Sequence, residues 1–427
     1  MSQDQNLLHR ILDDASRPDP YPLYAELRRT PVLHEPGGPY VISGYADIQG
    51  LLHDPRISSD SRNLVLGPGD PLTDAVEAAE GGGADGDRPG MLPPGFLRLD
   101  PPEHDRLRRM TNRPFGPPHS PHKVNGMRED LTAAVDGLLD RIADEGDPGD
   151  ADLVREFAYP FPVTVICRLL GVPREDETRF HVWAETLAAS LDPDPDSPDP
   201  TQRQRASQDA RLALGGYLAE LIEDRRAHPG EDMLSRLATG DGPDGPMTTI
   251  ELLTTAALLL IAGHETTVNL IANGMLTLLR HPGALERLRR EPGFAVPLVE
   301  ELLRYEPPVQ LLPHRTPLTD IEVHGTLIPK GSSMWLMLAA GNRDATRFTD
   351  PERFDPDRED LRHLGLGSGI HSCFGAPLAR LEAQIALTRF AARMEEPRLL
   401  ADPPPYRRNA VLRGPRSLPV ACAGIRP

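Results

Sequence analysis

Leu366-Gly367-Ser368-Gly369-Ile370-His371-Ser372-Cys373-Phe374-Gly375-Ala376 is the stretch whose reading decides the fold of this chain. It sets one cysteine among glycines, directly ahead of a helical pattern that begins near Pro377. Gly367, Gly369 and Gly375 let the backbone turn tightly and approach a flat ligand that side chains would obstruct. A helix start offers unpaired N–H groups and the positive end of a dipole, and both favour thiolate over thiol. A cysteine before a helix more often packs or caps than binds, so its assignment depends on the rest of the chain.

Outward from that loop, apolar residues recur at three- and four-residue steps. They predict helices over Leu131–Ile142, Leu212–Arg225, Thr249–Arg280, Leu298–Arg304 and Pro377–Met394. Short apolar or alternating runs bounded by Gly and Pro predict strands at Tyr40–Ser43, Ile321–Ile328 and Ser333–Leu338. The class is mainly α with a small β region. Gly67–Gly90, rich in Gly and acidic residues, and Asp192–Pro200, where Asp and Pro alternate, read as surface loops. Helical sequence of unchanged composition resumes on each side, so neither reads as a linker between domains.

Within the long apolar helix, Ala262-Gly263-His264-Glu265-Thr266-Thr267 places an acid and two hydroxyls where Leu would be expected. A buried carboxylate is costly without a partner or a task. Thr266 shares a helical face with Ala262, and Gly263 removes bulk from the adjacent ridge, leaving room for a small ligand. Glu301 and Arg304 are three apart on one helix and can pair; on a surface such a pair would be worth little. His104 and Arg108, four apart, share a face in Asp100-Pro101-Pro102-Glu103-His104-Asp105-Arg106-Leu107-Arg108-Arg109.

In order and spacing these features resemble the cytochrome P450 family, whose heme-binding loop reads Phe-Gly-x-Gly-x-His-x-Cys-x-Gly; only Leu366 departs from that pattern, standing where the family has Phe. The resemblance implies one P450 domain over residues 1–427, a triangular helical prism with a small sheet, with mobile loops at 60–98 and 190–205 near the substrate entrance. It implies heme b, with Cys373 as axial ligand of the iron, Gly367, Gly375 and Ala262 against the macrocycle, and His104, Arg108, Arg315 and His371 on the propionates. Glu265 and Thr266 become the acid and alcohol that manage protons and dioxygen. Glu301 and Arg304 become a buried structural pair, with Arg353 of Pro351-Glu352-Arg353-Phe354 as third member. Thr255, Leu258, Leu259, Val309, Gln310, Leu311, Leu312 and Val411 are implied to line the substrate pocket.

The implied activity is that of a heme-thiolate monooxygenase, which uses O2 to hydroxylate or epoxidise a small organic molecule in secondary-metabolite biosynthesis. Electrons would come from NAD(P)H through a ferredoxin reductase and a ferredoxin, for which Arg106, Arg109 and Arg113 form a docking patch; a solvated helix face explains the same cluster. Oxidative coupling without oxygen insertion, and a non-catalytic heme sensor, are the alternative readings.

Composition agrees. The 427 residues carry 46 basic against 64 acidic side chains, a formal charge of −18, which argues against a nucleic-acid partner. Three cysteines, Cys167, Cys373 and Cys422, are too few and too scattered for a disulfide framework, and suit a reducing cytoplasm. Cys167 reads as packed core. The polar segment Met1–Asp14 lacks the apolar core of a signal peptide. The most apolar run, Leu252–Gly263, falls short of the about 20 residues that span a bilayer. A cytoplasmic monomer with no membrane anchor is expected.

Overall fold

The computed structural model describes residues 7–65, 95–115, 121–145, 149–190, 200–240 and 244–427. Helix makes up 56% of it, with small sheets besides. Six helices carry or support the candidate site residues, labelled in chain order α1 (Tyr45–His53), α2 (Glu103–Phe115), α3 (Arg128–Glu145), α4 (Thr249–Arg280), α5 (Ala295–Tyr305) and α6 (Ala376–Arg393). Each periodic stretch of the sequence falls on a helix of the structure, except that Met394, the last residue of Pro377–Met394, begins a short strand. Another helix runs over Pro200–Ala227, so residues 200–205 of the expected 190–205 loop are helical. Residues 66–94 and 191–199 of the two expected loops lie outside the described residues.

The chain divides into two compact units. The first comprises Met1–Asp87, Phe294–Cys373 and Pro403–Arg416. Its sheet runs in the order Val32–His34, Tyr40–Ile42, Met334–Leu336, Leu312–Pro317, Ile57–Ser58. Tyr40–Ile42 pairs parallel with Met334–Leu336, and the other neighbours are antiparallel. Strand alternation sorts the side chains onto two faces. Val41 and Trp335 join Tyr21, Tyr24, Leu27 and Leu311 in one core. Ile42, Met334 and Leu336 join Ile48, Phe348 and Leu364 in the other. The expected strand Ile321–Ile328 is a hairpin, Ile321–Val323 paired with Thr326–Ile328, because His324 and Gly325 both take positive φ at its turn.

The second unit comprises Arg88–Gly293, Phe374–Asp402 and Ser417–Pro427. Here α6 packs on both α3 and α4. Arg389 and Arg393 of α6 reach Asp136 and Asp140 of α3 at 2.6 and 2.5 Å. The start of α4 is closed by a reciprocal capping box: Glu251 N–H donates to Thr248 Oγ1 and Thr248 N–H to Glu251 Oε2. At 32 residues α4 is long and apolar enough to cross a membrane by length and composition, well beyond the run Leu252–Gly263, but 75% of its most apolar window is buried inside the protein. It is a core helix. Cys167 is buried on the helix Pro160–Leu170, where burial pushes its thiol up to about 12.

Glu382 of α6 is fully buried, its Oε2 has no hydrogen-bond partner among the described residues, and burial holds its carboxyl well above the usual carboxylate range. The folded protein therefore keeps a proton there that the unfolded chain releases near pH ~4.3. Stability associated with that proton is present below this pH and is lost as pH rises toward the raised folded value. Glu382→Gln, neutral throughout, should raise the thermal midpoint at pH 7 to 8 and leave it nearly unchanged near pH 4; calorimetry across that range checks the prediction.

Candidate functional site

In the first unit the cysteine loop is tied at both ends. Gly367 N–H donates to Leu364 O and Cys373 N–H to Leu366 O, each at 2.8 Å, around a 3-10 turn over Gly369–His371. Gly367 and Gly369 have φ of 68° and 67°, conformations other residues rarely take. A Cβ on Gly369 would also collide with the carbonyl of Leu52 near the end of α1, and His53 Nε2 lies 2.7 Å from Ser368 Oγ. Gly375 differs: the chain turns there, but its φ of −78° is open to any residue, so that turn does not require glycine. Cys373 emerges exposed, two residues before the cap of α6.

Behind the loop stand Glu301 and Arg304 of α5, both fully buried. Arg304 Nε and Nη2 each donate to a Glu301 carboxylate oxygen at 2.7 Å, a two-pronged pair. The remaining guanidinium donors reach the carbonyls of Asn342 at 2.9 Å, Pro351 at 2.8 Å and Arg353 at 3.0 Å. The third cation is Arg358, a correction to the expectation of Arg353. Arg358 Nε donates to Glu301 Oε1 at 3.3 Å with its side chain 8% exposed, whereas the Arg353 side chain is 65% exposed and pairs with Asp355. Asp355 N–H also donates to Glu301, at 2.8 Å. Asn342, which no sequence signal marked, accepts from Leu364 N–H at 2.6 Å and donates to Leu303 O, joining α5 to the start of the cysteine loop. Arg315, on the strand Leu312–Pro317, and His371 are half-buried in the same unit.

In the second unit, His104 is buried on α2 with Nδ1 2.8 Å from Asp105, and Arg108 is half-buried one turn on. On α4, Glu265 is buried and accepts from Asn269 Nδ2 at 3.5 Å, and Thr266 is half-buried. The hydroxyl of Thr267 turns back to Gly263 O at 2.8 Å, so it serves its own helix. A Cβ on Gly263 would stand 3.0 Å from Ile166 Cδ1: its missing side chain admits the helix Pro160–Leu170, a different use from the expected room for a ligand. His264 is buried edge-on to Tyr159, ring centroids 4.6 Å apart. Ala262 lies on α4, with its side chain outside the described set. Arg106 pairs with Glu251, and Arg109 with Asp244 at 2.6 Å, so two of the three arginines expected in the docking patch already face acids.

The expected pocket residues divide by burial. Thr255 and Leu259 are buried on α4, and Leu258 is half-buried. Leu311 packs with Tyr21 and Tyr24, and Gln310 is held by Tyr24 Oη at 3.1 Å and Pro307 O at 2.6 Å. Val309, Leu312 and Val411 keep exposed surface. Gln310 N–H donates to Val411 O at 2.8 Å, so the segments holding Val309–Leu312 and Val411 form one piece.

These side chains fit a heme. No group of three or more His, Cys, Asp or Glu converges to hold a metal ion among the described residues. Within the first unit, the exposed sulfur of Cys373 and the glycine turn beside it suit a heme iron.

The family model described as Cytochrome P450 matches residues 91–417, and the chain belongs to that family. It is 41% identical to cytochrome P450 monooxygenase PikC of Streptomyces venezuelae, over 94% of this chain and 91% of that protein. It is 35% identical to 6-deoxyerythronolide B hydroxylase of Saccharopolyspora erythraea, over 96% and 98%. The ligand-free crystal structure of CYP164A2 from Mycobacterium smegmatis aligns with a TM-score of 0.81 at 41% identity, covering 97% of this chain and 99% of that one. The protein is a heme-dependent monooxygenase that uses O2.

Removing one member of the buried pair should be severe. Glu301→Ala leaves Arg304 charged and uncompensated, and is expected to cost about 3–5 kcal/mol, measured as a shift of the urea midpoint. Arg353→Ala should cost well under about 1 kcal/mol, as for exposed pairs.

Proposed function

We propose that the chain hydroxylates a bulky, largely apolar polyketide, with Cys373 as the residue that would hold the iron of heme b. The observation that carries this reading is the loop that holds Cys373 exposed between two left-handed glycines and a helix start. Support for the substrate class comes from relatives whose names include 6-deoxyerythronolide B hydroxylase and a polyketide biosynthesis cytochrome P450 of Bacillus subtilis. Electrons from NAD(P)H would arrive through a ferredoxin reductase and a ferredoxin, and the protein would act as a cytoplasmic monomer.

When bound, the heme supplies an electron-rich iron at which O2, two electrons and two protons yield water and one oxygen atom for the substrate. Cys373 would hold that iron through its sulfur, as thiolate. His104 and Arg108 of the second unit, and Arg315 and His371 of the first, are the residues that would hold the propionates, by charge and hydrogen bonding. Glu265 would hold a proton at its carboxyl and pass it toward the site, and the Thr266 hydroxyl would supply a hydrogen-bond donor there. Val309, Leu312 and Val411 of the first unit, backed by Gln310 and Leu311, and Leu258 of the second, backed by Thr255 and Leu259, would each offer apolar surface to a substrate.

The reduced protein under carbon monoxide should show the red-shifted absorption band of thiolate ligation, and Cys373→Ala should abolish it; an unshifted band in the unaltered protein would sink the heme-thiolate reading. With the redox partners and a polyketide substrate, Thr266→Ala should keep the band and the substrate-induced spectral shift. Coupling of NAD(P)H oxidation to hydroxylated product should fall by about 10²-fold, within the usual range for a lost proton-transfer group, with peroxide released instead.

A further inference from the structure

Residues Phe96–Arg98 form a single 3-10 turn ahead of α2. Gly95, at its cap, lies close against α4: a Cβ there would stand 3.2 Å from Leu258 Cδ2 and 3.6 Å from Thr254 Cγ2. With Gly95 seated on α4, the next side chain turns inward, and Phe96 is 2% exposed. Its ring meets Phe374 edge-on, centroids 5.4 Å apart at 74°, and lies 6.3 Å from the ring of His104 at 58°. Rings in this arrangement attract through their quadrupoles and so fix orientation as well as filling volume. One buried phenyl ring thus touches a residue read as a propionate ligand and the residue that directly follows Cys373. Leu366 lacks the ring that the family carries at the start of the loop, whereas Phe374, next to the sulfur in sequence, is anchored by Phe96.

We infer that Phe96 is a positioning residue of the heme site, fixing His104 and Phe374 together through one aromatic cluster. This inference rests on the heme-thiolate reading above. Its test uses the holoenzyme and two substitutions that retain apolar volume but remove a ring, Phe96→Leu and Phe374→Leu, singly and combined. Heme transfer to an excess of apomyoglobin should accelerate about three- to tenfold in Phe96→Leu, matching the loss of an aromatic pair. The reduction potential of the iron should move in the same variant. The double variant should add little to either single one, because both break the same contact.

A Phe96→Leu protein with a lower thermal midpoint but unchanged heme transfer and potential would overturn the inference, since the ring would then only fill space. Additive effects of the two substitutions would overturn it as well. Failure of the underlying reading looks different: the unaltered protein would lack the thiolate band before any substitution is made.

Discussion

The two-pronged pair between Glu301 and Arg304 is the constraint on which the cysteine loop and its supports depend. Taking both charges out of water costs several kcal/mol per ion, and their attraction offsets this only when every remaining donor and lone pair is satisfied. The structure meets that condition by bringing the backbone to the ions. Arg304 collects three carbonyls, from Asn342, Pro351 and Arg353, while Glu301 collects Asp355 N–H and Arg358. Residues 342–358 are thereby wrapped around one guanidinium. Asn342 passes the constraint on to Leu364, and Cys373 follows nine residues later. The pair stabilises the fold less by its own energy than by leaving this segment only one arrangement that satisfies it.

Much of this was legible in the sequence where the signal is local. Helical periodicity located the helices because an apolar stripe repeats within a few residues, and the cysteine loop was readable because its glycines and thiol are contiguous. What escaped depends on distant groups. Whether Arg353 or Arg358 reaches Glu301 is decided by the course of a loop that neither residue specifies. Gly263 looked like space for a ligand because Ile166, nearly a hundred residues earlier, is invisible from its neighbours. Gln310 and Leu311 fell among expected pocket residues by position, yet Tyr24 and the core around it claim both side chains. Phe96 carried no signal, since a lone aromatic beside Leu97 reads as ordinary core.

Along α4 a polar line runs through an otherwise apolar helix. Glu265, Asn269, Asn273 and Thr277 follow at steps of four, all buried, with Asn269 donating to Glu265 and Thr277 to the carbonyl of Asn273. Each such group costs free energy unless hydrogen-bonded. A helix of this composition suits a protein interior better than a lipid one, because its polar line can be met by neighbouring helices. The same line keeps the Glu265 carboxyl bonded within its own helix, one residue before Thr266.

Of the 46 basic residues only Lys123 and Lys330 are lysines, and the preference for Arg has a structural reading. Arg343 lies with its guanidinium 3.4 Å from the ring of Tyr21 and 4.0 Å from that of Tyr305, a stacked position that a compact ammonium would fill poorly. Arg413, buried against Glu306, donates to the carbonyls of Arg17 at 2.7 Å and Pro18 at 2.9 Å. Its own N–H bonds Pro308 O at 2.8 Å, beside the bond from Gln310 to Val411. The N-terminal segment, the end of α5 and the turn bearing Val411 are therefore fastened by planar cations that each serve several acceptors. Val309, Leu312 and Val411 inherit their positions from that fastening, so the apolar surface these three keep is set by ionic contacts made elsewhere in the same unit.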